Sequence, residues 1–178
     1  VSEKALAAHE AGGMTRSYWD WSAMLGANKG GAFPYTPATN LLYGLDEAIS
    51  MLGEEGLQNV FQRHARLAEA TRRAVAAWGL ETVAQVESEK SNSLTAVLLP
   101  EGHDADAFRS VVLQHFNMSL GNGLGRLAGR AFRIGHLGDF NELMLAGTLS
   151  GVEMGLAAAG IPHSKGGVQA ALDFLSEI

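Results

Sequence analysis

The sequence predicts an α/β chain closing in a small α+β domain, with helices on one face of a mainly antiparallel sheet. Two stretches of helical periodicity come first: Leu41, Leu42, Leu45, Ile49 and Leu52, then a stripe from Leu57 to Val75. Beyond Gly79, short apolar runs alternate with further helical patterns. Strands and helices mixed over one such stretch are the pattern of an α+β layer pair.

Residues 1–12 read as a short helix. Residues 13–38 do not, because Ser17-Tyr-Trp-Asp-Trp21, Asn28-Lys-Gly-Gly31 and Phe33-Pro-Tyr-Thr-Pro37 mix glycine, proline and aromatic rings without a period. A long functional loop is expected there. Its rings argue against disorder and for a surface that packs on something outside this chain. Helical spacing begins at Thr39 and is interrupted by Gly53 and Gly56.

The second helix carries Leu57, Val60, Phe61, His64, Leu67, Ala68, Thr71 and Val75 on one face. Arg63, Arg66, Glu69, Arg72 and Arg73 lie largely off that stripe, and Gly79 ends it. At about 20 residues, or roughly 30 Å, it is long enough to link two domains. Strands are expected at 82–86 and at 94–99, the latter stopped by Pro100.

Asp104 is placed to cap a helix carrying Phe108, Val111, Val112 and His115. Strands at 118–120 and 131–135 follow. Asp139 with Glu142 resembles a capping-box start for a helix bearing Leu143, Leu145, Leu149, Val152, Met154 and Leu156, which stops at Gly160 before Pro162. A last helix is expected over 167–175.

Composition narrows the function. With 178 residues, 47% of them hydrophobic, the chain can bury the core of one domain, or of one domain plus an extension. A net charge of −6 and no Lys/Arg-rich run argue against a nucleic-acid surface. The absence of cysteine excludes disulfides and thiolate metal sites, and is compatible with a reducing cytosol. No apolar run of about 18 residues offers a membrane span. The opening Val-Ser-Glu-Lys-Ala-Leu has neither a signal peptide's apolar core nor an initiator methionine, so it is expected to be the middle of something longer.

The richest stretch is Gly123 to Asp139. It sets Arg133 between Phe132 and Ile134, with glycines on both sides. An arginine on a buried-looking strand is costly unless it meets an anion, and its planar fork suits a carboxylate or phosphate. The anion is either a ligand's or the side chain of Asp139, Glu142 or Glu153. His64 and His115 sit on helical faces and read as packed residues. His136 follows the arginine strand, either lining the same pocket or simply bonded to backbone.

Gly121-x-Gly-x-Gly125 is no dinucleotide turn, because a strand and not a helix comes next. The Tyr35 and Thr36 hydroxyls, just ahead of a helix, could serve phosphate oxygens, or Thr36 or Thr39 could simply cap that helix. The pairs Asp46-Glu47 and Glu54-Glu55 read as solvated helix-end charges.

Together, Phe33-Pro-Tyr-Thr-Pro37, Leu42-Tyr-Gly-Leu45, the run from Glu55 through Gly56, Leu57 and Gln58 to Arg63 and His64, and the run from Phe132 through Arg133 to Gly138 resemble the serine–glyoxylate and alanine–glyoxylate aminotransferases in order and spacing. These are class V, fold-type I enzymes that use pyridoxal 5'-phosphate. The resemblance covers nearly the whole chain, and its wording is nearer to the serine–glyoxylate branch. It implies the C-terminal part of such an enzyme. Residues 1–55 would be the tail of the large cofactor domain and the start of the linker helices, and 56–178 the small α+β domain.

The resemblance further implies that Arg133 binds the α-carboxylate of the amino or keto acid. It implies that Thr36, with Tyr35 beside it, reaches the cofactor phosphate of a partner subunit in a homodimer. Phe33 stands where the alanine–glyoxylate branch uses a tyrosine hydroxyl, so that contact is not carried over. Arg126, Asn122 and His136 are expected on the substrate side of the pocket. The family's Schiff-base lysine lies upstream of the segment matching Val1, and none of Lys4, Lys29, Lys90 and Lys165 stands in such a strand.

No catalytic residue and no metal ligand is therefore expected here, and the chain alone should be inactive. The parent is expected to be cytoplasmic, or peroxisomal in a plant, with no nucleic-acid or membrane partner. It would move an amino group from serine, alanine or aspartate to glyoxylate, giving glycine. The competing reading is a non-catalytic dimerisation or anion-binding module derived from a transaminase small domain. A desulfurase relative is weakened by the absence of cysteine, and a kynureninase relative by the wording around Arg133.

Overall fold

The computed structural model describes residues 1–177 and divides into two units, Val1–Glu54 and the residues from Glu55 onward. The first is helical. Helix α1 (Glu3–Ala11) starts at Ser2, whose hydroxyl accepts from the Ala5 amide at 3.3 Å. The expected structureless stretch is corrected in part. Asp20 accepts from the Ser22 and Ala23 amides and starts helix α2 (Trp21–Lys29), after a single 3-10 turn at Ser17–Trp19. An N-cap in the middle of an aromatic run outweighs the glycines around it.

The His9 ring sits 3.0 Å from Asp20 Oδ1 and stacks on Trp21, so two segments with little apolar periodicity are joined by a polar contact. Helix α3 (Thr39–Glu55) runs through Gly53 without a break and has no buried residue. Its Leu41, Leu45 and Ile49 are all more than half exposed.

The second unit holds the core. Gly56, with φ +82°, separates α3 from helix α4 (Leu57–Ala77), a conformation that an L side chain resists. Helix α4 buries Val60, Leu67, Ala68, Thr71 and Val75 of the expected stripe, and Ala70 and Ala74 besides, although Leu57 and Phe61 at its first turns stay exposed. Strand β1 is only Glu81–Thr82, shorter than expected, because its pairing with β2 (Leu94–Leu98) covers only two register positions before the chain bends into a 3-10 turn at Glu87–Glu89.

Asp104 caps helix α5 (Ala105–Phe116) by accepting from the Asp106 and Ala107 amides. Strand β3 falls at Gly121–Asn122 and not at 118–120, and β4 occupies Ala131–Gly135 as expected. Helix α6 (Glu142–Ala158) is capped by Asn141, whose side chain accepts from the Met144 amide at 2.9 Å. Asp139 does not cap it. Helix α7 (Gly167–Leu175) closes the chain.

The four strands are antiparallel in the order β1-β2-β4-β3. Strand alternation sends Thr95 and Val97 of β2, and Phe132 and Ile134 of β4, to the face where the core lies. There they meet Leu67, Trp78, Phe108, Leu145 and Leu149, with the Phe108 and Phe132 rings 4.7 Å apart. Each such aliphatic or phenylalanine side chain contributes about 1.5–3 kcal/mol by leaving water. The opposite face carries Ala96, Arg133 and Gly121.

Among the described residues no helix is long and apolar enough to cross a membrane.

Candidate functional site

Arg133 sits in the middle of β4, in register with Ala96 on one side and Gly121 on the other. Both neighbours are small, which leaves room for a long side chain to lie across the sheet. At Gly121 the room is required. A Cβ added there would stand 3.0 Å from Arg133 Cβ and 3.1 Å from its Nε. The guanidinium therefore lies where a side chain at 121 would begin.

The Arg133 Nε is buried and has no hydrogen-bond partner among the described residues. None of the carboxylates named as its protein partners pairs with it. Glu153 instead accepts from the Trp78 indole N–H at 2.7 Å and from the Gly166 and Val168 amides at 3.1 and 3.0 Å. Burial works to raise the Glu153 pKa, but those three donors outweigh it and hold the carboxyl below its ordinary value. Asp139 and Glu142 act electrostatically on Arg63. A half-buried guanidinium with an unmet donor is able to receive an anion, and a carboxylate is the kind of group whose two oxygens can accept parallel N–H bonds from it.

The other residues expected around Arg133 divide. His136 is fully buried on the opposite face of the sheet, continuing the alternation of Phe132 and Ile134. Its ring nitrogens meet Thr95 Oγ1 at 3.0 Å and the Asn92 carbonyl at 3.2 Å. Desolvation pushes its pKa down to about 4, so it is neutral and structural. Asn122 spends its amide on the Gly123 carbonyl at 3.1 Å. Arg126 is exposed in the 3-10 turn Gly125–Leu127.

Tyr35 and Thr36 belong to the first unit and Arg133 to the second. Tyr35 is 45% exposed, with its ring 5.0 Å from that of Tyr18. Thr36 lies in the irregular stretch before α3, also exposed. Neither Thr36 nor Thr39 makes a side-chain cap among the described residues. No lysine stands in a strand, and Lys90 is paired with Glu87 at 2.7 Å. No group of three or more potential metal ligands occurs among the described residues.

One cluster escaped the sequence reading. Glu55 is not a free helix-end charge, because it takes both Nε and Nη2 of Arg63 at 2.7 Å. Arg63 and His64 also bond the loop after β4. The only signal for this was Arg63's place off the apolar stripe.

No family model matches the chain. It is 49% identical over 183 residues to the serine–glyoxylate aminotransferase of Methylorubrum extorquens, which covers 99% of this chain and 46% of that relative. It is 47% identical over 177 residues to the serine–glyoxylate aminotransferase of Arabidopsis thaliana, covering 98% of this chain and 44% of that one. Among solved structures, ureidoglycine–glyoxylate aminotransferase from Bacillus subtilis superposes with a TM-score of 0.87 at 29% identity, over 98% of this chain and 46% of its own. The chain thus spans less than half the length of the curated relatives it matches.

Proposed function

Because the chain belongs to the serine–glyoxylate and alanine–glyoxylate aminotransferase family, as a C-terminal portion of that fold-type I architecture, we propose that it supplies the substrate-carboxylate site of such an enzyme. In the whole protein an amino group would pass from serine, or from alanine or aspartate, to glyoxylate, giving glycine. The observation that carries this reading is the buried, unpartnered Nε of Arg133 on a sheet face cleared by Gly121 and Ala96.

Arg133 would hold the carboxylate of donor and acceptor alike and so orient the α-carbon. Pyridoxal 5'-phosphate, when bound, supplies the electron sink at that carbon. The exposed Thr36 hydroxyl and the Tyr35 phenol are donors of the kind a phosphate oxygen accepts, and we assign them to the cofactor phosphate of a partner subunit. In support of such a partner, Leu41, Leu45 and Ile49 of α3 share one side of the helix and are all more than half exposed, an apolar face that the first unit itself leaves uncovered. On this reading residues 1–55 are the tail of the cofactor domain and 56–178 the small domain. The anchoring lysine is not among the four this chain contains.

The test is steady-state transamination by the full-length protein with L-serine and glyoxylate. Arg133→Ala should raise KM for both and lower kcat/KM by about 30- to 1000-fold, equivalent to about 2–4 kcal/mol. An unchanged kcat/KM would remove Arg133 from the site. A full-length protein without transaminase activity and without bound cofactor would favour the non-catalytic anion-binding module.

A further inference from the structure

We infer that Glu55, Arg63 and His64 form a latch that positions the loop after β4, and through it Arg133. The inference rests on the reading of Arg133 as the carboxylate-binding residue. Its geometry is independent of that reading.

Strand β4 is held unevenly. On its β2 side every residue from Ala131 to Gly135 is paired. On its β3 side the pairing covers only Phe132 and Arg133. Arg133 is therefore the last residue of the strand with a neighbour on both sides. Past it, the second restraint comes from helix α4. Arg63 donates from Nη1 to the Gly138 carbonyl at 2.7 Å and to the Phe140 carbonyl at 3.3 Å. The Gly138 amide in turn donates to His64 Nε2 at 3.1 Å. Two adjacent side chains thus take both the carbonyl and the amide of one loop residue.

Glu55 acts through Arg63. Its two oxygens occupy Nε and Nη2, which leaves Nη1 for the loop and fixes the plane of the guanidinium. Glu55 is the last residue of α3, and the pair reaches across Gly56. Glu55 and Arg63 are thus positioning residues, as is His64.

His64 gives the latch a chemical signature. An amide can only donate, so Nε2 must accept, and the ring proton must sit on Nδ1, where it is donated to the Val60 carbonyl at 2.7 Å. Protonating the ring would set an N–H against the Gly138 N–H and open this half of the latch. The charged and titratable groups around it are Arg63 and Glu55 beside it and His136 at the end of β4. Asp139 in the loop and Glu142 at the start of α6 face Arg63.

The experiment uses the full-length protein with its cofactor. Hydrogen exchange at Gly138 is followed as a function of pH, corrected for the intrinsic rate, beside KM and kcat for L-serine. In the parent, protection should fall as the imidazole protonates. His64→Gln keeps an acceptor without a titration, so its protection should no longer depend on pH. His64→Phe and Glu55→Gln should speed exchange about three- to tenfold, the range of one lost hydrogen bond. They should raise KM for L-serine by a similar factor, with a smaller fall in kcat. In an Arg133→Ala background His64→Phe should add nothing to KM.

Faster exchange with an unchanged KM would overturn the positioning role. Exchange unaltered by either substitution would overturn the latch itself. If Arg133→Ala alone leaves KM unchanged, the carboxylate reading fails, and the positioning inference falls with it for a separately visible reason.

Discussion

Gly121 and Arg133 are cross-strand neighbours, and the missing side chain of the first is the resting place of the second. Gly121→Ala puts a methyl group 3.0 Å from Arg133 Cβ, which the strand holds, and 3.1 Å from Nε, which is free to swing. The guanidinium should therefore move and the backbone should not. The expected result in the full-length enzyme is a KM for glyoxylate raised about tenfold, with a stability loss of about 1 kcal/mol by chemical denaturation. Unaltered KM with lost stability would mean that Gly121 serves only the packing of the sheet.

Arg133→Lys separates charge from shape. Lysine keeps the cation but not the planar fork, and its ammonium cannot present two parallel N–H bonds to one carboxylate. The substitution should recover less than half of the binding free energy lost in Arg133→Ala, read from KM for L-serine and glyoxylate. Full recovery would show that the site recognises charge alone.

His136 makes stability depend on pH. Its folded pKa is pushed from 6.5 down to about 4 by desolvation. Between those values the unfolded chain takes up a proton that the folded chain refuses, so stability falls as pH drops through that window and levels off below it. The loss is about 3 kcal/mol at most. Chemical denaturation of the full-length protein between pH 7 and pH 4 should show this slope, and His136→Asn should flatten it. An unchanged slope would assign the acid sensitivity to other groups.

Glu153 and Trp78 tie α6 to the start of α7. Glu153→Ala leaves the buried indole N–H and two amides without their acceptor and should cost about 2–3 kcal/mol. Gly167→Ala should harm the same corner by another route, since its methyl would overlap the Trp78 ring. Thermal melting of both variants, with KM for L-serine unchanged, is the expected pattern. A KM effect larger than the stability effect would connect this corner to the substrate site.

Much of this molecule was legible in its residues. Strand β4 was read at its observed bounds because Phe132 and Ile134 alternate with a residue that must face the other way. Helix α5 was announced by Asp104, and α4 by an apolar stripe long enough to outlast its arginines. What escaped depends on register or on a break in the chain. Strand β1 stops at Thr82 because its pairing with β2 ends there, which no local pattern encodes. The Glu55–Arg63 pair spans eight residues across Gly56, so helical spacing could not foresee it. His136 was readable in principle. Counting in twos from Phe132 carries it to the core side, away from Arg133.

Among the described residues every buried apolar side chain lies between Val60 and Leu175, while the first unit buries only His9. Cooperative melting draws its latent heat and its heat-capacity step from apolar surface released to water. A calorimetric scan of this chain by itself would therefore register the second unit as a single peak. Helices α1, α2 and α3 would loosen gradually beneath it, as peptides do, because each has little sequestered surface to surrender.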